Sequence, residues 1–315
     1  MPNVISPTGL DSASQCVAKR CHEVKGAPAF NRFAAPAVAL GGQIHDAVRQ
    51  LAQHGKAGVA AEGQTVPTKR GPQSLATVAQ RITETVKARW PAAEAWAIER
   101  PICYFADAEH STMIRGRLDY APFGQTERGL GCLGVVDLKS KGNLTLRFQD
   151  QLSSITMHRQ LFACAIASMC PSYTEHLALE VQDDGSAHRP PGTWGRGWHN
   201  PITFAEVAEA VETAPLPEVW LLVWDKDNDR PVWRAHWISR PALRAFMRQA
   251  VKLAAEVNAA LELPAADWPR SFNCDDPWEC PHKMRCATDL ADAEVSADQI
   301  AADAALFRLG AAPRS

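Results

Sequence analysis

Residues 116–142 read GRLDYAPFGQTERGLGCLGVVDLKSKG, and two acids in this stretch close apolar, strand-like runs. Asp119 ends the first run, and Asp137 follows the second, with Lys139 two residues later. A charge buried without a partner is costly, so acids in such places need a partner or a ligand. Because side chains alternate along a strand, Asp137 and Lys139 are predicted to share one face. If neighbouring strands carry the two acids, their carboxylates converge.

The composition of the chain is that of an ordinary globular protein. It has 315 residues, 46% of them hydrophobic and 22% charged, with a net charge of −2. Nucleic-acid binding would therefore need a local basic lining, such as Arg115 and Arg117 beside the acids. No apolar run is long enough to span a membrane, and residues 1–16 lack a signal-peptide pattern. We therefore expect a cytoplasmic protein with no membrane partner, whose nine cysteines do not form disulfides.

The hydrophobic patterns predict a mixed sheet with helices around it, an α/β or α+β layer structure. Predicted helices cover 38–54, 75–89, 147–169, 204–213 and 241–262. Predicted strands cover 95–105, 112–122, 130–139 and 175–182, followed by a hairpin over 218–238 that is rich in tryptophan. Residues 55–73 and 183–201 are predicted loops, and the tail 287–315 is predicted to be helical.

Paired carboxylates at one sheet edge favour a hard divalent ion such as Mg²⁺, which prefers oxygen ligands. Such an ion would polarise a phosphoryl oxygen and lower the pKa of a bound water. Lys139 would orient or deprotonate that water, or offset negative charge in the transition state. A surface ion pair between Asp137 and Lys139 is the simpler alternative for this motif alone.

Four motifs in this order resemble the PD-(D/E)XK nuclease superfamily, in particular its RecB-like branch. G-R-L-D at 116–119 and D-L-K at 137–139 resemble the branch's G-x-x-D and D-x-K motifs. Upstream, G-G-Q-I-H at 41–45 resembles G-x-x-H, and the run H-R-Q-L-F at 158–162 resembles the Q-x-x-x-Y segment. The resemblance implies a restriction-endonuclease-like mixed central sheet flanked by helices.

The resemblance also implies roles for single residues. The metal ligands for Mg²⁺ or Mn²⁺ would be His45, Asp119 and Asp137, with the Leu138 carbonyl as a possible fourth. Lys139 would be the catalytic lysine, acting with the two acids, and Gln160 would position substrate or catalytic groups. The tyrosine of the family motif is Cys164 in this chain, and Gln151 is an alternative to Gln160.

A second cluster of ligand-type residues lies near the C-terminus. Residues 272–286 read FNCDDPWECPHKMRC, which places Cys274, Cys280 and Cys286 in a proline-containing loop. Thiolates grouped in this way predict a metal, either Zn²⁺ or an iron–sulfur cluster. Three cysteines need a fourth ligand, and the alternatives are His282 nearby or a cysteine near the N-terminus.

Several RecB-like nucleases, including the AddB subunit and the nucleases of CRISPR adaptation, carry a [4Fe–4S] cluster. One cysteine before the nuclease core and three after it bind that cluster. By this resemblance the ligands would be Cys16, Cys274, Cys280 and Cys286, with Cys21 as a rival to Cys16. Zn²⁺ is the alternative cofactor. The cluster would join the N- and C-terminal segments.

Together these features predict a metal-dependent deoxyribonuclease, an exonuclease that acts on single strands or ends of DNA. The predicted nuclease domain covers 1–286, with a core at about 38–182 and cluster-binding ends at about 6–25 and 270–286. The tail 287–315 follows this domain. The partners would be DNA and a separate helicase or recombination protein. The alternatives are a non-catalytic nucleic-acid-binding or helicase-docking module of decayed nuclease fold, and a zinc-binding protein.

Overall fold

The structure, a computed structural model, describes most of the chain. The described residues are 2–26, 35–54, 63–69, 71–127, 129–141, 155–180, 201–225, 228–271, 280, 282 and 286. The predictions made for Cys274, for Gln151 and for the tail 287–315 lie outside these residues, as does most of the predicted loop at 183–201.

The chain divides into two compact units. Unit 1 consists of Met1–Asp11 and Phe33–Ala254, and unit 2 consists of Ser12–Arg32 and Ala255–Ser315. Unit 2 therefore contains the cysteines predicted to bind a cluster, and unit 1 contains the acids and the lysine. The predicted nuclease domain of 1–286 stays a prediction.

Helices and strands alternate irregularly along the chain. The helices are α1 (Pro7–Gln15), α2 (Val17–Val24), α3 (Ala35–His54), α4 (Leu75–Arg89), α5 (Ile155–Met169), α6 (Pro171–Glu180), α7 (Phe204–Thr213) and α8 (Arg240–Leu261). The strands are β1 (Asn3–Ile5), β2 (Thr65–Val66), β3 (Gln73–Ser74), β4 (Ala95–Phe105), β5 (Thr112–Thr126), β6 (Gly129–Cys132), β7 (Gly134–Lys141), β8 (Glu218–Asp225) and β9 (Arg230–His236).

The long strand β5 organises the main sheet of unit 1. Antiparallel β4 pairs with it from Met113 to Phe123 and so occupies one edge. The other edge pairs in turn with β1, β7 and β6. The sheet continues from β7 through parallel β8 to antiparallel β9, whereas β2 and β3 form a separate hairpin. The sheet is therefore mixed, as predicted.

The second edge of β5 has a gap next to Asp119. Pairing with β1 ends at Ile114, and β7 joins β5 at the single pair Tyr120–Val136. Within the part of the chain that the structure describes, residues 115–119 have no strand partner on this edge. The strands β5 and β7 separate at this point, and side chains can enter the gap.

Helices α3 and α4 cover one face of the sheet. On α4, Val78, Ile82 and Val86 repeat at helical spacing and are buried, and Ser74 caps the helix by accepting the N–H of Thr77. Burying a side chain of this size stabilises a protein by about 1.5–3 kcal/mol. The core they form with the sheet includes Ile44, Ala47 and Val48 of α3, and Tyr120, Val136, Leu138, Leu222 and Trp224 of the strands.

Unit 2 has its own set of contacts between residues far apart in sequence. In α2, the N–H of Ala18 donates to the Pro269 carbonyl at 2.9 Å. The thiol of Cys21 donates to the Val257 carbonyl at 3.9 Å. Arg270 donates to the carbonyls of Ala265 and Trp268 and so fixes the segment after a 3₁₀ turn at Ala265–Asp267.

The structure confirms much of the predicted secondary structure and corrects three elements. Strand β4 and helices α4 and α7 have the predicted bounds, and the α/β class with a mixed, helix-flanked sheet is confirmed. The strand predicted over 175–182 is wrong, because residues up to 180 belong to α6. Strand β2 and the first residue of β3 fall within the predicted loop at 55–73, and the run 130–139 is split between β6 and β7.

Candidate metal centre

Three ligand-type side chains meet in unit 1: His45, Glu99 and Asp119. One ligand atom from each lies within 4.8 Å of the other two. Glu99 and Asp119 are buried, and His45 is partly exposed, which leaves a route from solvent. Two of the three, His45 and Asp119, were predicted as metal ligands. Glu99 was not.

Glu99 and Asp119 occupy directly opposite positions on β4 and β5. The flanking pairs are Ile98 with Tyr120 and Arg100 with Leu118. Glu99 has a left-handed backbone, with φ of 52°. Such a conformation is uncommon outside glycine and costs on the order of 1–3 kcal/mol. Backbone strain at a buried acid inside a strand is typical of a functional position.

Like charges on directly opposed strand positions repel, and burial strengthens that repulsion. His45 compensates for it: Nδ1 lies 2.6 Å from Oε1 of Glu99 and 3.7 Å from Oδ1 of Asp119. The guanidinium of Arg117 adds a positive charge 3.7 Å from the other Glu99 oxygen. The two acids are therefore held together by the positively charged groups around them.

These contacts keep the imidazole of His45 protonated at neutral pH. Burial lowers its pKa, but the charge of Asp119 and the hydrogen bond to Glu99 outweigh burial and raise the pKa to about 9. A metal ligand must be the neutral imidazole, so a cation would have to displace this proton. The imidazolium therefore occupies the place that a metal ion would take between the acids.

Asp119 also fills the gap between the separating strands. Its Oδ2 accepts the backbone N–H of Leu138 at 2.7 Å, in place of the next ladder bond between β5 and β7. Burial raises the pKa of the Asp119 carboxyl, and the nearby charges of His45 and Lys139 oppose that rise. The carboxylate thus fixes the position of β7 relative to β5.

Asp137 and Lys139 form an ion pair beside this triad. Nζ of Lys139 lies 2.8 and 2.9 Å from the two carboxylate oxygens of Asp137. The carboxylate is buried, whereas the Lys139 side chain is 30% exposed. Burial raises the pKa of Asp137 to about 6, although Lys139 opposes the rise. For Lys139 itself, burial lowers the pKa, but Asp137 and Asp119 outweigh it and raise the pKa.

Helix α5 brings Cys164 close to the acids. Its pKa is raised well above the ordinary value, by burial first and then by the charges of Asp119 and Asp137, so the thiol is neutral. The thiol donates to the Arg117 carbonyl at 3.7 Å. Gln160 is half-buried one helical turn before Cys164, so it lies on the same side of α5.

The structure thus places the predicted site residues in two adjacent groups. His45 and Asp119 join Glu99, whereas Asp137 and Lys139 pair with each other. The backbone N–H of Leu138 donates to Asp119. The signal for Glu99 in the sequence was an acid inside the run AWAIERPICYF, which is otherwise largely apolar.

The cysteine residues of unit 2 form a separate group. Cys16 caps α2, and its sulfur accepts the backbone N–H groups of Lys19 and Ser271, both at 3.4 Å. Cys286 lies within electrostatic range of Cys16 and of Cys280. Burial raises the pKa of the Cys286 thiol, and a hydrogen bond from Arg270 opposes that rise.

Cys21 has a different environment from Cys16. Burial, reinforced by the nearby Cys16, raises its pKa to about 11, and its thiol donates to the Val257 carbonyl. A thiol that donates its proton to a carbonyl is the neutral form, whereas metals bind the thiolate. Cys16 and Cys21 thus differ in their contacts, because the sulfur of Cys16 accepts hydrogen bonds and the thiol of Cys21 donates one. Among the other described cysteines, Cys103, Cys132, Cys164 and Cys170 are buried in unit 1.

Comparisons with known proteins identify no family for this chain. No family model matches it, and no curated protein matches it. It is similar to a solved structure titled "Crystal structure of SSO0001", at 10% identity and a TM-score of 0.30, over 80% of this chain and 77% of that one. A likeness of this size supports no inference about fold or function.

The geometry of the triad predicts the titration of His45 in metal-free protein. In NMR spectra recorded with EDTA, the His45 ring should titrate with a pKa near 9. In the Glu99→Gln variant, the pKa of His45 should fall towards the ordinary value of histidine, because the charged hydrogen-bond acceptor is lost. Protonated His45 stabilises the folded state. This contribution is fully present below pH 6.5 and is lost as the pH rises through 9. The stability difference between the two proteins should therefore shrink at high pH. An unshifted His45 pKa in Glu99→Gln would contradict the ion pair.

Proposed function

We propose that this chain is a metal-dependent deoxyribonuclease that hydrolyses phosphodiester bonds in single strands or at DNA ends. One observation carries the proposal: two opposed, buried carboxylates converge on His45 beside the Asp137–Lys139 pair. Strongly perturbed, buried ionisable groups with solvent access are typical of functional sites. The restriction-endonuclease-like form of the sheet is part of the same proposal.

The donor set fits Mg²⁺ or Mn²⁺, because it consists of carboxylate oxygens and one imidazole. Asp119 and His45 would hold the ion, with Glu99 and Asp137 as the flanking acids and the Leu138 carbonyl as a further donor. When bound, the ion would supply Lewis-acid stabilisation of the phosphoryl oxygens and a more acidic water.

The remaining groups of the site would act on substrate and water. Lys139, held next to Asp137, would direct its ammonium at the attacking water or at the phosphate, where it offsets developing negative charge. Gln160, on the same side of α5 as Cys164, would orient the substrate. Because Cys164 is a neutral thiol, it would pack beside these groups without adding a charge to the site.

The arrangement of basic residues on β5 supports DNA as the substrate. Arg115, Arg117 and Asp119 alternate along the strand, so they share one face, and both arginines are exposed. Residues two apart on a strand are about 6.6 Å from each other. The two arginines would therefore guide successive phosphates towards the acids.

A non-catalytic binding module of the same fold is the main alternative. Such a module would need no opposed, buried carboxylates. Replacing buried charged groups by apolar residues of similar size is often neutral or stabilising for the fold. The presence of Glu99, Asp119 and Asp137 together, each buried, therefore favours catalysis over binding alone.

The proposal includes a [4Fe–4S] cluster bound by Cys16, Cys274, Cys280 and Cys286 in unit 2, which would join the two chain ends. Support comes from the N–H donors to the Cys16 sulfur and from the donors to Cys286. Backbone N–H groups that point at a thiolate are a common feature of iron–sulfur sites, where they set the potential.

Zinc is the second candidate for the cysteine site, because His282 lies between Cys280 and Cys286. The imidazole is 2% exposed, and its Nδ1 has no hydrogen-bond partner among the described residues. Burial lowers its pKa, which favours the neutral form that binds metals. His282 would then take the place of Cys16 as the fourth ligand, beside Cys274, Cys280 and Cys286, in a Cys₃His site.

The partners of the proposed nuclease would be DNA and a separate helicase or recombination protein, in the cytoplasm. Among the described residues, no helix is both long enough and apolar enough to cross a bilayer.

Cleavage of labelled DNA tests the catalytic proposal. With Mg²⁺ or Mn²⁺, the wild type should degrade single strands or ends, and Asp137→Ala should be slower by about 10²-fold or more. The matched control is Asp46→Ala, which removes an exposed acid of α3 that pairs with Arg49. Equal cleavage by the wild type and Asp137→Ala would refute the proposal that this site is a nuclease active site. Bound but uncleaved DNA would support the binding module instead.

The arginine track predicts a change in the salt dependence of DNA binding. In the Asp137→Ala background, Arg115→Ala should reduce the slope of log affinity against log salt by about 1, because one phosphate contact is lost. Arg248→Ala, an exposed arginine of α8, should leave the slope unchanged. The assay is fluorescence anisotropy with a labelled single-stranded oligonucleotide. Equal slopes for the two variants would exclude Arg115 from the DNA path.

Metal analysis of anaerobically purified protein tests the cluster. The wild type should be brown and contain about four iron and four sulfide ions per chain. Cys16→Ala should lose this iron, whereas Cys21→Ala should keep it, because Cys21 donates to a carbonyl. A colourless protein with one zinc ion would favour the Cys₃His site. If Cys21→Ala lost its iron and Cys16→Ala kept it, the N-terminal ligand would be Cys21 and not Cys16.

A further inference from the structure

Two buried imidazoles lie beside the cysteines of unit 2. His22 comes from α2 and His282 from the segment between Cys280 and Cys286, and each is 2% exposed. Their rings stack at 5.4 Å with an angle of 22°. His22 also meets the Trp268 ring edge-on at 5.0 Å. The ring of His22 is therefore fixed on two sides by other rings.

One nitrogen of this fixed ring faces a cysteine. Nε2 of His22 lies 3.2 Å from the sulfur of Cys286. A thiolate that binds a metal has no proton to donate, so the imidazole must supply the hydrogen in this contact. The tautomer that carries hydrogen on Nε2 is therefore the form that a metal-bound Cys286 requires.

Cys286 also receives a hydrogen bond from the side chain of Arg270. Arg270 is itself held by the carbonyls of Ala265 and Trp268, at 2.6 and 3.1 Å. Two independently fixed side chains therefore contact the sulfur of Cys286. Structural thiols that only pack in a core do not need such donors.

We infer that His22 is a positioning residue of the cysteine site, which holds Cys286 by an Nε2–H···S hydrogen bond and tunes the electron density of its sulfur. The inference rests on the proposed iron–sulfur centre and adds a residue that does not bind the metal itself. Groups outside the ligand set commonly orient ligands and adjust the potential in this way.

The consequence concerns the reduced state of the cluster. A hydrogen bond withdraws electron density from the thiolate, so it favours the reduced form and raises the potential. Without the imidazole N–H, the cluster should be harder to reduce. Because the contact is a hydrogen bond rather than a ligand bond, the iron content should stay nearly complete.

The test compares wild type, His22→Phe and His22→Gln, each as the full chain purified anaerobically. Phenylalanine keeps a ring for Trp268 and His282 but has no N–H, whereas glutamine keeps an N–H donor. The readouts are iron content, the midpoint potential by redox titration, and EPR spectra of the reduced protein. We expect full iron in all three, a more negative potential for His22→Phe, and a value nearer to wild type for His22→Gln.

A measurement on the wild type covers the case in which the phenylalanine variant does not fold. Pulsed EPR of protein labelled with ¹⁵N-histidine should show a weakly coupled nitrogen, which His22→Gln lacks. Equal potentials in all three proteins, or no histidine coupling in the wild type, would overturn the role of His22 while the cluster stands. A wild type without iron would overturn the cluster and this role together.

Discussion

The rest of unit 1 depends on one interaction, the contact of the His45 imidazole with two buried carboxylates on opposite strands. Glu99 and Asp119 occupy facing positions, where like charges repel and burial leaves little solvent to screen them. His45 must therefore lie within 4 Å of both. This requirement fixes the register of α3 on the sheet, and the buried residues Ile44 and Val48 on either side of His45 supply the packing that holds the helix there.

The backbone around the site follows from the same requirement. The strands β5 and β7 share a single pair at Tyr120 and Val136, and beyond it the carboxylate of Asp119 takes the place of a ladder bond. A continuous ladder would leave no room for a side chain between the strands. Gly134, at the start of β7, lets the Trp90 ring approach closely, because a Cβ there would lie 2.6 Å from that ring. The core behind the sheet therefore holds the separated strands in place.

The sequence was sufficient for the parts of this site that depend on local periodicity. Alternation along β7 predicted that Asp137 and Lys139 share a face, and the ion pair between them agrees. Glu99 could not be predicted in this way, because its role depends on the register between β4 and β5 and on a left-handed backbone. The strand predicted over 175–182 failed for a different reason. Short apolar runs do not distinguish strand from helix, and Pro171 at the first helical position was the missed signal.

The two sites differ in ligand chemistry, and this difference separates their proposed roles. Unit 1 offers oxygen ligands and one imidazole, which suit a hard ion, whereas unit 2 offers the sulfur atoms of cysteine residues. His22 and Cys286 lie 264 residues apart in sequence, and closing a loop of that length costs about 5 kcal/mol in chain entropy. Structural metal sites contribute about 10–16 kcal/mol. The binding energy of a metal centre at the cysteines would therefore exceed the entropy cost of closing this loop.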